Sequence, residues 1–222
     1  MGEVVEDRES EERAQFMLRM RARGIGDLRL LRALERAPRS LFMPQRYADM
    51  ALRDLALPIG CGQTAPPPSI VAAMIAALDL EPAHSVCEIG TGTGYCAALL
   101  AQLASTIVSL ERFQTLAVEA SARIKAFGLL NVAALWGDGF EYPASGERFD
   151  RVLVHGLIEP PAEAFRELIA RGGVLVAAVA GPDRGEQRII KLARDQNGAV
   201  EADDFGPARG MRPLEHGLAR AL

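Results

Sequence analysis

Apolar positions recur with helical spacing in the first third of the chain and with strand spacing after it. From Glu11 to Arg23, the residues Phe16, Met17 and Met20 fall on one stripe, which predicts an amphipathic helix. Residues 1–12 are rich in acidic side chains and lack such a stripe, so they read as a flexible, solvated tail. Gly24 and Gly26 interrupt the pattern, Asp27 is placed to cap a second helix carrying Leu28, Leu31 and Leu34, and Pro38 ends it. Residues 41–68 hold Pro44, Pro58, Gly60, Gly62 and the triplet Pro66-Pro67-Pro68, which predicts a loop-rich stretch. A further helix is expected from about Ser69 to Leu80.

Past Ser85 the pattern alternates. SVCEIG (85–90), TIVSLE (106–111), NVAALWGD (131–138), FDRVLVHG (149–156) and GVLVAAVAG (173–181) are short apolar runs and predict buried strands. Between them, 95–104, 115–128 and 161–173 predict helices, with Gly128 closing the second as the residue past its C-cap. RIIKLARD (188–195) and a weaker segment at 199–205 predict a late antiparallel pair. Strands alternating with helices imply an α/β fold, a mostly parallel, doubly wound sheet with both faces covered. The expected organisation is a single domain over 13–222, with an N-terminal helical arm and substrate-side loop at 13–68 and a ligand-binding α/β core at 69–222.

Composition adds limits. With 222 residues, 49% apolar and 24% charged, the chain can bury a full core without metals or disulfides. A net charge of −4 provides no general field for nucleic acid, so none is expected as a partner. Three scattered cysteines, Cys61, Cys87 and Cys96, make neither a disulfide framework nor a zinc site. His84, His155 and His216 have no metal-like spacing, so no metal is expected. His155 reads as a structural histidine, although the end of its strand could also turn it toward a site. The acidic N-terminus lacks a signal-peptide core, and no apolar run is long enough to span a membrane. The expected location is the cytoplasm.

The chemistry concentrates in Glu88-Ile89-Gly90-Thr91-Gly92-Thr93-Gly94-Tyr95, which follows one predicted strand and opens a predicted helix. Glycines at such a bend let backbone approach a ligand closely. The third glycine comes one residue earlier than in the dinucleotide fingerprint G-x-G-x-x-G. The form E-x-G-x-G-x-G resembles motif I of the S-adenosylmethionine-dependent methyltransferases, whose Rossmann-like fold is then expected here. That resemblance implies that Glu88, Gly90, Thr91, Gly92, Thr93, Gly94 and Tyr95 surround the methionine part of S-adenosyl-L-methionine. It also implies that Glu111, with Arg112 beside it, meets the ribose hydroxyls, and that Gly137-Asp138-Gly139 meets adenine. All these positions fall at the carboxyl edge of the predicted sheet, where open α/β sheets bind ligands.

A closer resemblance spans nearly the whole chain from about Arg19. RARGIGD (21–27), RAPRSLFMP (36–44), LPIGCGQT (57–64), CEIGTGTGY (87–95), SLER (109–112), NVAALWGDG (131–139), FDRVLV (149–154) and RPL (212–214) are similar, in order and spacing, to the protein-L-isoaspartate (D-aspartate) O-methyltransferases. The resemblance implies a repair enzyme. It would methylate the abnormal α-carboxylate of isoaspartyl residues in damaged peptides or unfolded segments, and the ester would cyclise to a succinimide that can reopen to aspartate.

The chain departs from that family where the acceptor would bind. After Gly-Gln-Thr the family carries an Ile-Ser pair whose hydroxyl reaches the substrate carboxylate; here Ala65 and Pro66 stand in its place. Proline offers neither hydroxyl nor backbone N–H. After FDRVLV, small residues give way to His155-Gly156-Leu157-Ile158-Glu159, and Glu159 would repel a carboxylate if it pointed inward. Thr64, backbone groups at Pro66, or Arg212 are the candidates to hold the acceptor, with Arg212 otherwise a solvated surface residue. Isoaspartyl methylation is the preferred reading. The alternatives are a different acceptor on the same fold, or a cofactor-binding protein that has lost repair activity.

Overall fold

The computed structural model describes residues 2–142, 146–159 and 163–220. Helix α1 spans Gly2–Ala22 and α2 spans Leu28–Arg36. The expected tail is therefore largely continuous with the first helix. Arg19 and Arg21 stand in its last turn, where cations suit the helix dipole. Asp27 caps α2 as expected, its side chain accepting from the Arg29 N–H at 2.8 Å.

The loop-rich stretch is not featureless. Two 3-10 helices, Arg39–Leu41 and Gln45–Met50, lead into a small antiparallel hairpin, β1 (Leu57–Pro58) and β2 (Thr64–Ala65). Helix α3 (Pro68–Ala77) then begins with Pro68 in its first turn, where a missing N–H costs nothing.

The core sheet follows. Strand β3 (Ser85–Ile89) leads to α4 (Tyr95–Leu100), β4 (Thr106–Glu111) to α5 (Gln114–Ala126), and β5 (Val132–Trp136) to β6 (Phe149–Ile158). A short α6 (Glu163–Arg166) precedes β7 (Ile169–Ala180), β8 (Gln187–Arg194) and β9 (Val200–Ala208). The strand order is β5-β4-β3-β6-β7-β8-β9, parallel through β7 and antiparallel from β7 to β9. This is the Rossmann-like methyltransferase arrangement expected from the sequence.

One expectation fails within the core. The helix expected over 161–173 is only α6, and β7 already starts at Ile169. Ile169 pairs with Phe149, and the register then shifts before Arg151 meets Val174. Gly172, at φ +76°, and Gly173 accommodate that irregularity. Residues 160–162, where that helix was to begin, lie outside the described residues.

Alternation along the strands sorts two cores. Val86 and Leu153 face a cluster that includes α2, α3, α4 and the hairpin, whereas Cys87, Ile89, Val152 and Val154 face a second cluster with Phe165 and Leu168. Arg151 shares the first face, where its Nε donates to Leu78 O at 2.6 Å and its Nη2 to Asp79 O at 3.2 Å. It thereby satisfies carbonyls left open beyond the end of α3. Among the described residues, no helix is long and apolar enough to cross a membrane.

Candidate functional site

A cleft of about 1030 Å³, mouth included, opens at the carboxyl ends of β3, β4, β5 and β6. The sheet order reverses there: β4 and β5 lie on one side of β3, and β6 on the other. The predicted residues Gly90, Thr91, Gly92, Thr93, Tyr95, Glu111, Arg112, Gly137, Asp138 and Gly139 all line it. Glu88 and Gly94 are set beneath the surface, Glu88 fully buried and Gly94 packed close to Ala120 and Ile124 of α5. Thr64, Pro66 and Arg212 reach the same cleft from the hairpin and the C-terminal segment.

The glycine loop has a steric reason. Gly90 has φ +92°, and a Cβ there would meet the carbonyl oxygen of His155 at 2.7 Å. Only glycine lets the loop turn while lying this close to β6. The loop is tied back to β4, since Gly90 N and Thr91 N both donate to Leu110 O.

Beneath the loop lies a buried polar cluster. Ser109 donates a short hydrogen bond to Glu88 Oε2, so Thr91 Oγ1, 2.6 Å from Ser109 Oγ, must be the donor of that second bond. The other carboxylate oxygen, Glu88 Oε1, lies 3.3 Å from His155 Nε2. Cys96 of α4 adjoins both, and its thiol pKa is pushed well up by burial and by Glu88. These three side chains place ligand-type atoms within 4.8 Å of one another. Ser109 satisfies one carboxylate oxygen of Glu88, whereas Glu88 Oε1 and both ring nitrogens of His155 are buried with no hydrogen-bond partner among the described residues.

Two carboxylates stand at the ends of neighbouring strands. Glu111 accepts from Gly92 N at 2.8 Å and from Phe113 N at 3.0 Å. Burial raises its pKa, against the lowering effect of those N–H groups. Asp138 accepts from Phe140 N at 3.0 Å and from Gly217 N at 2.6 Å. Each carboxylate oxygen keeps acceptor capacity beyond one bond.

The sequence did not reveal the role of the C-terminal segment. Arg112 donates to Gly217 O at 2.8 Å and His216 O at 3.1 Å and pairs with Glu215 at 2.7 Å, while His216 stacks on Phe140 with centroids 3.6 Å apart. Arg112 thus holds the segment beside Asp138 rather than standing free toward a ligand.

The acceptor side is assembled from distant pieces. The Thr64 hydroxyl lies 3.4 Å from Gly210 O, to which it donates. Pro66 turns its carbonyl to Arg39, whose Nη2 donates at 2.8 Å while its Nη1 donates to Ala51 O at 3.0 Å. Arg39 is 1% exposed, and burial lowers its pKa to about 10. Its only sequence signal is a lone cation between Pro38 and the apolar Leu41-Phe42 inside RAPRSLFMP. Arg212 is exposed, and its guanidinium has no hydrogen-bond partner among the described residues. Glu159 is exposed and does not line the cleft, so its feared repulsion does not arise there. His155 does line it, and its side chain is only 8% exposed.

Comparison with known proteins identifies the family of the chain and agrees with its fold. The family described as protein-L-isoaspartate(D-aspartate) O-methyltransferase matches residues 11–209. A protein-L-isoaspartate O-methyltransferase of Rhodopseudomonas palustris (strain BisA53) is 42% identical over 211 residues, covering 95% of this chain and 97% of the relative. One from Azorhizobium caulinodans is also 42% identical, over 96% of this chain and 97% of its own. Among solved structures, a Plasmodium falciparum chain described as a protein-L-isoaspartate O-methyltransferase in complex with S-adenosyl-L-homocysteine superposes with a TM-score of 0.77. It covers 90% of this chain and 97% of its own at 18% identity, which speaks to the fold alone.

Proposed function

The chain belongs to the protein-L-isoaspartate(D-aspartate) O-methyltransferase family, and on that premise we propose that its cleft binds S-adenosylmethionine beside an isoaspartyl residue and methylates that residue's α-carboxylate. It is an S-adenosylmethionine-dependent O-methyltransferase of the protein-repair class. The observation that carries the site assignment is the convergence, in one cleft, of the glycine loop, two strand-end carboxylates and the β1–β2 hairpin.

The residues fit the cofactor. Gly90 to Thr93 and Tyr95 line the cleft, and Glu88 to Tyr95 would hold the cofactor's methionine part. Glu111 retains acceptor sites for two ribose hydroxyls, and Asp138 for the adenine amino group. When bound, S-adenosylmethionine supplies a methyl group on a sulfonium, and its transfer to a carboxylate oxygen neutralises both charges without moving a proton.

No general base is needed, because a carboxylate of pKa about 4 is already ionised at neutral pH. The chain's own task is to exclude water and hold the carboxylate in line. Thr64, the backbone around Pro66, and Arg212 stand on the acceptor side of the cleft and are the groups we assign to that task. Arg39 supports them by fixing the Pro66 carbonyl. The open mouth suits a flexible peptide or unfolded segment as substrate. We place the protein in the cytoplasm, a reading supported by the free thiols of Cys61, Cys87 and Cys96.

The test is transfer of labelled methyl from S-adenosylmethionine to an isoaspartyl peptide, beside the same peptide with normal aspartate. Base-labile label on the isoaspartyl peptide alone is the expected result. Label on neither, with cofactor binding confirmed by calorimetry, overturns the repair reading in favour of a different acceptor or a lost activity.

A further inference from the structure

The repair reading leaves one buried cluster unused. Glu88 lies near the end of β3, Cys96 in the first turn of α4, and His155 in β6. In the parallel pairing of β3 and β6, Glu88 lies opposite Leu153 and Ile89 opposite Val154, which carries His155 to the foot of the glycine loop. That loop runs from Glu88 back to Cys96, so three separate elements each deliver one side chain to the same point. A carboxylate oxygen, a thiol sulfur and an imidazole nitrogen lie there within 4.8 Å of one another.

The polar atoms of this trio are short of partners. Glu88 is 0% exposed and the His155 side chain 8%. Ser109 donates to Glu88 Oε2 and is itself bonded to Thr91, so the pair serves one carboxylate oxygen only. Oε1 and both ring nitrogens of His155 are buried without a hydrogen-bond partner among the described residues. Buried polar atoms left unmet cost free energy, and a bound cation meets lone pairs on oxygen, nitrogen and sulfur together.

The spacing suits a particular ion. In a tetrahedral zinc site, a carboxylate oxygen and an imidazole nitrogen stand about 3.3–3.5 Å apart, and a thiolate sulfur about 3.6 Å from each. Glu88 Oε1 and His155 Nε2 are 3.3 Å apart. The limit of 4.8 Å on the whole trio leaves Cys96 Sγ at most about 1.2 Å to close, within reach of a small χ1 adjustment. We propose that Glu88, Cys96 and His155 bind one Zn2+ ion, through Oε1, Sγ and Nε2. The mixture of thiolate, imidazole and carboxylate selects zinc over magnesium or calcium, which take oxygen ligands.

Charge balances in this site. The ion offsets the Glu88 carboxylate and a Cys96 thiolate, whose proton leaves to solvent, and His155 binds as the neutral ring with its proton on Nδ1. Cys96 and His155 also line the cleft, which gives the ion a way in and leaves its fourth position to water. The ion clamps β3, α4 and β6 around the glycine loop, a structural role separate from methyl transfer. The expectation of no metal came from the spacing of histidines, and this site uses only one.

The experiment strips untagged protein with a chelator, reloads it with Zn2+ or Co2+, and dialyses it. Metal content, the visible spectrum of the Co2+ form and Tm are compared for wild type, Cys96→Ser, Cys96→Ala, His155→Gln and a control carrying His84→Ala with Cys61→Ser. Wild type and control should retain about one ion per chain. Their Co2+ forms should show the bands of a four-coordinate ion together with thiolate charge transfer. Zn2+ at about a hundred-fold excess over Kd should raise their Tm by about 5 °C or more. Each site variant should bind Zn2+ about 100-fold or more weakly and lose that rise.

Retention of less than about a tenth of an ion per chain by the wild type overturns the proposal. So does uptake that the Cys96 and His155 variants leave unchanged, which places the metal elsewhere. Should a site variant fail to fold, the control decides: one retained ion with thiolate charge transfer supports the site, and a Co2+ spectrum without it overturns the site.

Discussion

The two halves of the cleft were built differently. On the cofactor side, the assigned residues sit at strand ends, in the loops that leave them or at the start of the next helix: Glu88 to Tyr95 from the end of β3 to the start of α4, Glu111 at the end of β4, and Gly137 to Gly139 after β5. On the acceptor side, the groups come from the hairpin and the C-terminal segment, and a buried cation from the N-terminal arm holds the end of the hairpin. The first half carries the glycine loop and two strand-end carboxylates; the second carries Pro66 just past the hairpin. Strand-end geometry constrains a cofactor site tightly, whereas a site pieced together from separate segments can change one donor for another.

Substitutions can break this contrast, and the largest effect is expected where the halves touch. Gly90→Ala would place a methyl 2.7 Å from the His155 carbonyl at φ +92°. It should cost about 2–4 kcal/mol in chemical denaturation and abolish measurable binding of both ligands. Loss of cofactor binding with peptide binding intact would show that the halves are not coupled there.

Glu111→Ala should follow, weakening cofactor affinity by about 100-fold through the loss of charged acceptors and of the tie to Gly92. Peptide affinity should change little, and calorimetry with S-adenosylhomocysteine checks both. Because burial raises the Glu111 pKa, its protonation on acidification begins above the ordinary carboxylate range. The ionised form is the better acceptor, so cofactor affinity should fall there as pH is lowered, and Glu111→Gln should flatten that dependence.

The opposite pattern is expected from Arg39→Met. It leaves the carbonyls of Ala51 and Pro66 without their buried donor, at a cost of about 2–3 kcal/mol in stability. Peptide KM should rise by about ten-fold while cofactor affinity stays within about two-fold. Equal losses of both would contradict the division into halves.

That division also explains what the sequence could disclose. The glycine loop, Glu111 and Asp138 were legible because each lies next to an apolar run that announces its strand, so local pattern places it in space. Asp27 as a cap and Gly128 beyond α5 were legible for the same reason. The contact of His155 with Glu88 depends on the register of β3 against β6, which no local pattern states. The clasp of Arg112 on residues 215–217 is equally non-local. The expected helix over 161–173 failed because apolar spacing at Leu168 and Ile169 suits a helix as well as the start of a strand, and pairing with Phe149 decided it. Glu159 could be named from the sequence, but its direction could not.

The smallest expected effect is the most discriminating about history. Pro66→Ser in the wild type should improve kcat/KM for isoaspartyl peptide by less than about three-fold, since Thr64 and Arg212 already line the acceptor side. A large gain would mean that Thr64 and Arg212 do not make up for the donor that Pro66 lacks.

The central claim is that this acceptor half accepts isoaspartyl carboxylates. Prolonged incubation of an isoaspartyl peptide with the protein and S-adenosylmethionine, followed by chromatographic separation of the isoaspartyl and aspartyl forms, tests it most directly. The account predicts steady conversion of isoaspartyl to aspartyl peptide, dependent on the cofactor and faster than spontaneous loss. An isoaspartyl content that does not fall, with cofactor bound throughout, would contradict it.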